Sequence, residues 1–345
     1  MNKKINQEQQ ICMLPKLEGV GGPSSFYSRM VTGCKERNIS ISNDPLDSAN
    51  NAILVIGGTR RMIDVWKAKR NGVRVVQRLN GMNWIHLQTF TGIRHFFRAE
   101  RNNFLLSFIR KRIASKIVYQ SNFNDEWWNR VYGSTQAHEQ VIYNGVDLNA
   151  YTPNADHERP KNHYRILIVE GKMGGGHEYG IRIGYQLSKL VKKKLGIQVE
   201  MVVAGYVPEE TREAFQERND VEVKILGILP RERVPFLDRS SHLMYTAELN
   251  AACPNSVIES MACGLPVIGF ETGSIAELLG EKGGKHVPYG GNHWKLESPD
   301  ITALADAACE VLMDQESFRI AARERAEALF DVNKMVEGYI EALLG

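Results

Sequence analysis

The sequence predicts an α/β fold built as two Rossmann-like, doubly wound parallel-sheet domains. Three observations predict it. Short apolar runs bounded by turn residues alternate with longer amphipathic stretches, the pattern of parallel strands joined by crossover helices. The runs form two series with a polar, proline-containing segment between them. The length, 345 residues, ordinarily divides into two hydrophobic cores rather than one.

In the first series the predicted strands are Ile11–Leu14, Ala52–Ile56, Arg74–Arg78, Lys116–Gln120 and Val141–Tyr143. The second series holds Arg165–Val169, Gln198–Ala204, Val221–Leu226, His242–Tyr245, Pro266–Gly269 and His286–Val287. Between them, residues 146–164 are polar and without hydrophobic period, so a linker is expected near Pro153–Asn162. The stretch from Glu316 to Leu344 is helical by period and broken around Asp331. Domains of 1–155 and 156–328 follow, with 329–345 as a separate terminal helix.

Composition narrows the class. Hydrophobic residues make up 43% and charged residues 24%. No run of eighteen apolar residues occurs and the first ten residues are polar, so the expectation is a cytoplasmic chain without a membrane span or signal peptide. Five scattered cysteines, Cys12, Cys34, Cys253, Cys263 and Cys309, contain no CxxC pair and read as buried thiols. The net charge of +3 conceals an asymmetry: residues 1–150 carry 21 basic against 11 acidic side chains, and the remainder is net acidic. The first half therefore suits an anionic partner such as phosphate or a lipid surface. Nucleic acid is not expected, because no reading motif accompanies the charge.

Doubly wound sheets bind ligands beyond the carboxyl ends of their strands, and two segments carry that chemistry. After the first strand, Gly19-Val20-Gly21-Gly22-Pro23-Ser24 opens a helix expected to run through Met30. Glycines let a phosphate approach the backbone, and a helix start favours an anion. A tight turn without ligand has the same spacing. Ser24 replaces the third glycine of GxGxxG, and no acidic residue clearly ends the second strand to hold a ribose, which counts against a dinucleotide-dependent oxidoreductase. The second segment is Asn250-Ala251-Ala252-Cys253-Pro254-Asn255-Ser256-Val257-Ile258-Glu259-Ser260-Met261-Ala262-Cys263-Gly264-Leu265-Pro266. Its helix start offers N–H groups to a diphosphate, and Glu259 stands one turn later. A solvated helix glutamate is the competing reading.

These residues resemble the signature of family 4 of the retaining glycosyltransferases, whose fold is called GT-B. Other segments resemble it in order: Gly21-Gly22-Pro23, Val76-Gln77-Arg78-Leu79-Asn80-Gly81, Ile142-Tyr143-Asn144-Gly145-Val146-Asp147 with Tyr151 and Pro153, Gly227-Ile228-Leu229-Pro230, Ser274-Ile275-Ala276-Glu277-Leu278, and Phe330-Asp331-Val332 with Tyr339. The resemblance implies two Rossmann-like domains with a cleft between them and a terminal helix, 329–345, crossing back to the first. It implies a cytoplasmic hexosyltransferase that uses a nucleoside-diphosphate sugar, with no cofactor and no metal.

By position, the resemblance gives Glu259 the ribose and the N–H groups of Asn255, Ser256 and Val257 the diphosphate. Gly21 and Gly22 face the phosphate from the first domain, Ile228 borders the base, and Asn80 stands beside the donor sugar. The family places an arginine and a lysine after the first strand of the second domain; here Lys172 matches the arginine, with Gly171 beside it in the donor site, so Lys172, with Glu259, is expected to carry catalysis. The family's second basic residue is missing at its usual spacing, and His177 is the nearest substitute. Ala251 stands where relatives place the acidic residue that binds the transferred sugar, leaving backbone N–H groups of Ala251, Ala252 and Cys253 for that role. Glu248 is not assumed to substitute. A binding or regulatory protein on the same fold is the alternative that these departures leave open.

Residues Arg94–Arg112 combine Arg94, Arg98, Arg101, Arg110, Lys111 and Arg112 with Phe96, Phe97, Phe104 and Phe108. Two readings apply: a surface for an anionic membrane or lipid-linked acceptor, or a helix that buries Phe and Leu against the sheet and solvates a basic face.

Overall fold

The computed structural model describes residues 9–345 except Val20 and Glu217. Its strands are β1 (Gln10–Leu14), β2 (Ser40–Ser42), β3 (Ala52–Ile56), β4 (Arg74–Leu79), β5 (Lys116–Tyr119), β6 (His138–Val141), β7 (Tyr164–Lys172), β8 (Val199–Tyr206), β9 (Glu222–Gly227), β10 (Leu243–Tyr245), β11 (Val267–Phe270) and β12 (Gly284–Val287). The helices are α1 (Gly22–Glu36), α2 (Met62–Arg70), α3 (Ile93–Phe108), α4 (Asn122–Tyr132), α5 (Tyr179–Leu195), α6 (Glu209–Gln216), α7 (Val234–Arg239), α8 (Asn255–Ala262), α9 (Ile275–Leu279), α10 (Ile301–Met313), α11 (Gln315–Leu329) and α12 (Val332–Leu344). They form two six-stranded parallel sheets, ordered β2-β1-β3-β4-β5-β6 and β12-β11-β10-β7-β8-β9.

The chain groups into two compact units, residues 1–83, 97–144 and 332–345 in one and 84–96 and 145–331 in the other. The change after Asn144 comes before the proline-containing segment in which the sequence placed the linker. The reason is local bonding. Val146 N–H donates to Phe330 O at 2.7 Å, and Arg323 Nη atoms donate to Tyr151 O at 2.7 Å and Leu148 O at 3.2 Å. These bonds fasten residues 146–151 to the second unit.

In the first unit β3 is buried throughout, as its unbroken AILVI run requires for a central parallel strand. Helix α1 extends past Met30 to Glu36, since Arg29, Thr32, Lys35 and Glu36 continue its polar face. Gly33 lies where α12 crosses: a Cβ there would stand 2.6 Å from Val336 Cγ2. The crossing is closed by Phe26 and Tyr339, ring centroids 4.8 Å apart, edge to face. Arg110, fully buried at the end of the π-helical continuation of α3, donates from Nε to Tyr119 OH at 2.8 Å, and from Nη2 to Asn129 Oδ1 at 2.6 Å and Glu139 Oε1 at 2.9 Å. The pairing offsets the cost of removing its charge from water.

Two strands depart from the sequence expectation. β2, Ser-Ile-Ser, was not foreseen because an edge strand needs no apolar run. β6 is the polar His138–Val141 rather than Val141–Tyr143, again an edge strand held by main-chain pairing to β5. Helix α3 departs further: its buried residues are Ala99, Asn103 and Ser107, while Ile93, Phe97 and Phe104 are each more than 60% exposed. The expectation that it buries its phenylalanines is therefore corrected. Small and polar residues let this helix approach its unit closely and turn the large rings outward.

In the second unit α5 lies against β7 and β10 through two glycines. A Cβ on Gly180 would stand 2.7 Å from Ala247 Cβ, and one on Gly184 2.6 Å from Ile168 Cδ1. Among the described residues, no helix is long and apolar enough to cross a membrane.

The α1–α12 crossing gives a first prediction. Gly33→Val should lower the thermal midpoint by the equivalent of about 1–3 kcal/mol through overpacking, and adding Val336→Ala should recover part of that loss. Calorimetric midpoints of the two variants against the parent check it, and equal losses with and without Val336→Ala would contradict the contact.

Candidate active site

The second sheet reverses direction between β7 and β10. From β7 the chain builds outward through β8 and β9, then returns to place β10 on the other side of β7, with Leu243 opposite Ile166 and Met244 opposite Leu167. In doubly wound sheets the loops after two such strands diverge and leave a crevice. Here they are Glu170–Glu178 and Thr246–Pro254.

The end of β7 is irregular. Val169 pairs with Ala204 but Lys172 pairs with Tyr206, so one extra residue bulges from β7. Gly205 makes room for it with φ +137°, since a Cβ there would collide with the carbonyl oxygen of Glu170. The bulge carries Glu170 and Gly171. With Lys172, Met173, His177, Ala247 and Glu248 they line a cavity of about 200 Å³. Gly171 and Lys172 are exposed and His177 is half-buried.

The charges in this cavity are unusual. Glu170 Oε1 is buried without a hydrogen-bond partner, and desolvation, followed by the neighbouring Glu248 charge, pushes its carboxyl well above the ordinary range against the opposing backbone N–H groups of Ala247 and Glu248. Desolvation also pushes His177 down; Glu178 opposes this while Lys172 and His95 add to it. His177 is thus a weaker cation than an exposed histidine, and Lys172 supplies the positive charge. The loop before α5 bends through Gly175 and Gly176, at φ +70° and +100°, and a Cβ on Gly176 would meet Thr89 Oγ1 at 2.8 Å.

Beyond β10 the chain passes through Asn250 at φ +57° and reaches α8. Pro254 stands at the N-cap with no side-chain cap hydrogen bond, and the helix start, with the N–H groups of Asn255, Ser256 and Val257, is the positive end of α8, a position that suits an anion. Glu259 is 9% exposed on this helix, which removes the solvated-glutamate reading. Ala252 is half-buried and Cys253 buried at the turn into the helix. Ala251 is buried: its carbonyl accepts from Ser274 N–H at 2.9 Å, and Gly273 packs so tightly that a Cβ would stand 2.5 Å from Ala251 N. Both atoms of the buried Asn250 carboxamide lack partners, as do Thr246 Oγ1 and Ser274 Oγ. Buried polar groups left in this way mark places where water or ligand completes the bonding.

The expected site residues divide between the units. Gly171, Lys172, His177, Ile228, Ala252, Cys253, Asn255, Ser256, Val257 and Glu259 belong to the second, and Gly21, Gly22 and Asn80 to the first. Gly21 takes φ +123° at the N-cap of α1. Asn80 is held in a network: Oδ1 accepts from Arg78 Nη1 and from Gln120 Nε2 at 3.1 Å, and its carbonyl accepts from Trp128 Nε1 at 2.9 Å. Ile228 is exposed on the loop after β9. The sequence missed Glu170 and Asp238. Asp238, on α7, is fully buried and accepts from Ser260 Oγ at 2.8 Å. Desolvation pushes it up to about 8, the Ser260 bond opposes this, and the adjacent Glu259 charge adds to it.

Residues 165–314 match the family model described as Glycosyl transferases group 1. Over 206 residues, 58% of this chain and 52% of the relative, the sequence is 30% identical to N-acetyl-alpha-D-glucosaminyl L-malate synthase of Bacillus anthracis. The chain thus spans about half the length of that curated relative. Sucrose-phosphate synthase from Thermosynechococcus elongatus superposes at TM-score 0.71 with 16% identity, covering 97% of this chain and 98% of that one. Anabaena HepE in complex with UDP and glucose gives 0.69 and 16%, covering 97% and 99%. The fold is that of the GT-B glycosyltransferases.

Asp238 gives a prediction on pH. Its folded carboxyl holds a proton that the unfolded chain releases above about pH 4, so the native state binds more protons and stability falls as pH rises towards the folded value of about 8. Asp238→Asn keeps the acceptor for Ser260 and should leave stability unchanged near pH 4 while gaining over the parent by on the order of a few kcal/mol at pH 8. Denaturant midpoints across this range check it, and a difference independent of pH would contradict the burial.

Proposed function

From a chain whose residues 165–314 match the family model of the glycosyl transferases group 1, we propose a retaining glycosyltransferase that moves a hexose-type sugar from a nucleoside-diphosphate sugar to an acceptor without a metal ion. The observation that carries this reading is the juxtaposition at the β7/β10 reversal: a cavity bearing Lys172 and His177, followed along the chain by an uncapped helix start with the buried Glu259 behind it. Lys172 and the first-turn N–H groups of α8 would bind the diphosphate, Glu259 the ribose hydroxyls, and Ile228 would border the base. Within the first unit, the N–H groups of Gly21 and Gly22 at the start of α1 suit a phosphate, and Asn80, whose amide oxygen is already committed, keeps Nδ2 for a sugar hydroxyl.

In this chemistry the bond between the anomeric carbon and the diphosphate oxygen breaks, and the acceptor oxygen attacks on the same face. The departing diphosphate takes the acceptor proton. The chain then contributes orientation and charge stabilisation rather than a base. The UDP complex of HepE supports starting with uridine nucleotides. Ala251, without a carboxylate, keeps open a second reading, a protein that binds the nucleotide sugar and does not turn it over.

The acceptor side is proposed to work at an anionic membrane, on glycan or lipid-linked acceptors on its cytoplasmic face. The exposed Ile93, Phe97, Phe104 and Phe108 of α3 lie among exposed Arg94, Arg98, Arg101, Lys111 and Arg112, a combination that partitions into a headgroup layer.

Two measurements test these readings. Heat denaturation with nucleoside diphosphates and their sugars, without metal, should raise the midpoint for one base. The rise should shrink in Glu259→Ala, and Lys172→Ala should slow transfer by about 10²–10³-fold. A nucleotide response unchanged in Glu259→Ala would contradict the ribose assignment, and binding without turnover would favour the second reading. Separately, the chain should sediment with phosphatidylglycerol vesicles but not with phosphatidylcholine ones. Replacing Phe97, Phe104 and Phe108 by serine should abolish this while leaving the nucleotide response intact, and equal sedimentation of parent and variant would contradict the surface.

A further inference from the structure

We propose that Glu170, on the bulge of β7, together with Glu248 binds the hydroxyls of the transferred sugar, taking over the task left empty by Ala251. The inference rests on the nucleotide-sugar reading above and assigns its sugar subsite.

Ala251 is not equipped to bind a sugar. It has no carboxylate, its carbonyl is occupied by Ser274 N–H, and Gly273 covers its nitrogen. A sugar beside this loop needs acceptors from elsewhere. Carboxylates are available across the strand reversal: Ala247 and Glu248 follow β10, Glu170 lies on the bulge near the end of β7, and all three line the same cavity. Its volume of about 200 Å³ would hold six or seven waters at about 30 Å³ each, the scale of one hexose ring.

Glu170 is set up for a ligand rather than for packing. The extra residue in β7, accommodated by Gly205, brings its side chain into the cavity lining, and Oε1 is buried with no partner. A buried carboxyl oxygen is ordinarily given a hydrogen-bond donor. A ring hydroxyl donating to Oε1 completes the set that Ala247 and Glu248 N–H begin.

Charge separates the two ends of the cavity. Two ionised carboxylates would repel a diphosphate, so the phosphate belongs by Lys172 and the neutral sugar by the acids. The pair meets this condition by retaining a proton, since desolvation and mutual repulsion raise Glu170 well above its ordinary range. The other groups acting on the pair are Tyr179 and Tyr245, both kept neutral by burial. With them stand Lys172 and His177 on the cavity wall, and Glu178 beside His177.

The test is titration calorimetry of wild type, Glu170→Gln and Glu248→Gln with UDP, GDP, ADP and dTDP, each against its glucose conjugate. Wild type should bind one conjugate more tightly than the bare diphosphate. Either substitution should remove at least tenfold of that increment while leaving the bare diphosphate within about twofold. Wild-type affinity for the conjugate should also decline as pH rises through about 7, where Glu248 ionises beside Glu170, and the Glu170→Gln profile should be flat. If diphosphate and conjugate weaken together, or neither weakens, the sugar assignment is overturned while the nucleotide site stands. If wild type binds no nucleotide, both fall. Should Glu170→Gln fail to fold, Glu248→Gln decides by the same criteria.

Discussion

Strand β10 lies beside β7 rather than beside β9, and the organisation of the second unit follows from that reversal. A parallel sheet that always grew in one direction would cover the end of each strand with the next crossover. Reversal leaves the ends of β7 and β10 adjacent and uncovered, with one loop leading to α5 and the other to α8. Gly180 and Gly184 then let α5 sit close enough for its first turn to touch Ala247. The first sheet has the same reversal between β1 and β3, and its glycine loop follows β1. In both units the loops proposed to meet phosphate are therefore held by a rigid sheet.

Around the reversal of the second sheet several buried polar atoms go without hydrogen-bond partners. Buried Arg110 in the first unit has a full set of partners, as does Glu200 in the second, which is met by Arg165 and Lys224. By contrast Glu170, Asn250, Thr246 and Ser274 each keep a buried atom without a bond, and Asp238 retains a proton behind Glu259. An uncapped α8 forgoes about 1 kcal/mol of helix stability that a serine or aspartate cap would give. Water or a ligand in the crevice would complete these bonds.

Much of this was legible in the sequence for a physical reason: central parallel strands are buried on both faces and must be apolar. Ala52–Ile56 was placed to the residue, and the helix pair at the C-terminus broke at Asp331 as read. Edge strands β2 and β6 gave no such signal because main-chain pairing alone holds them. The start of α8 was readable from Pro254 and Asn255, and the nucleotide role given to it is a proposal. Glu170 was not, since a bulge depends on Gly205 in the neighbouring strand, thirty-five positions away. Asp238 meets Ser260 only in the folded unit. Periodicity also gave α3 two faces without saying which one is covered, and its small residues Ala99, Asn103 and Ser107 decided that.

The central claim, that the β7/β10 reversal holds a nucleotide sugar, is tested most directly by a crystal structure of the chain soaked with its preferred nucleoside-diphosphate sugar. The account predicts density for the diphosphate at Lys172 and the first turn of α8, the ribose on Glu259, and the hexose against Glu170 and Glu248. Density for the nucleotide anywhere else in the second unit, or a diphosphate lying against the two glutamates, would contradict it.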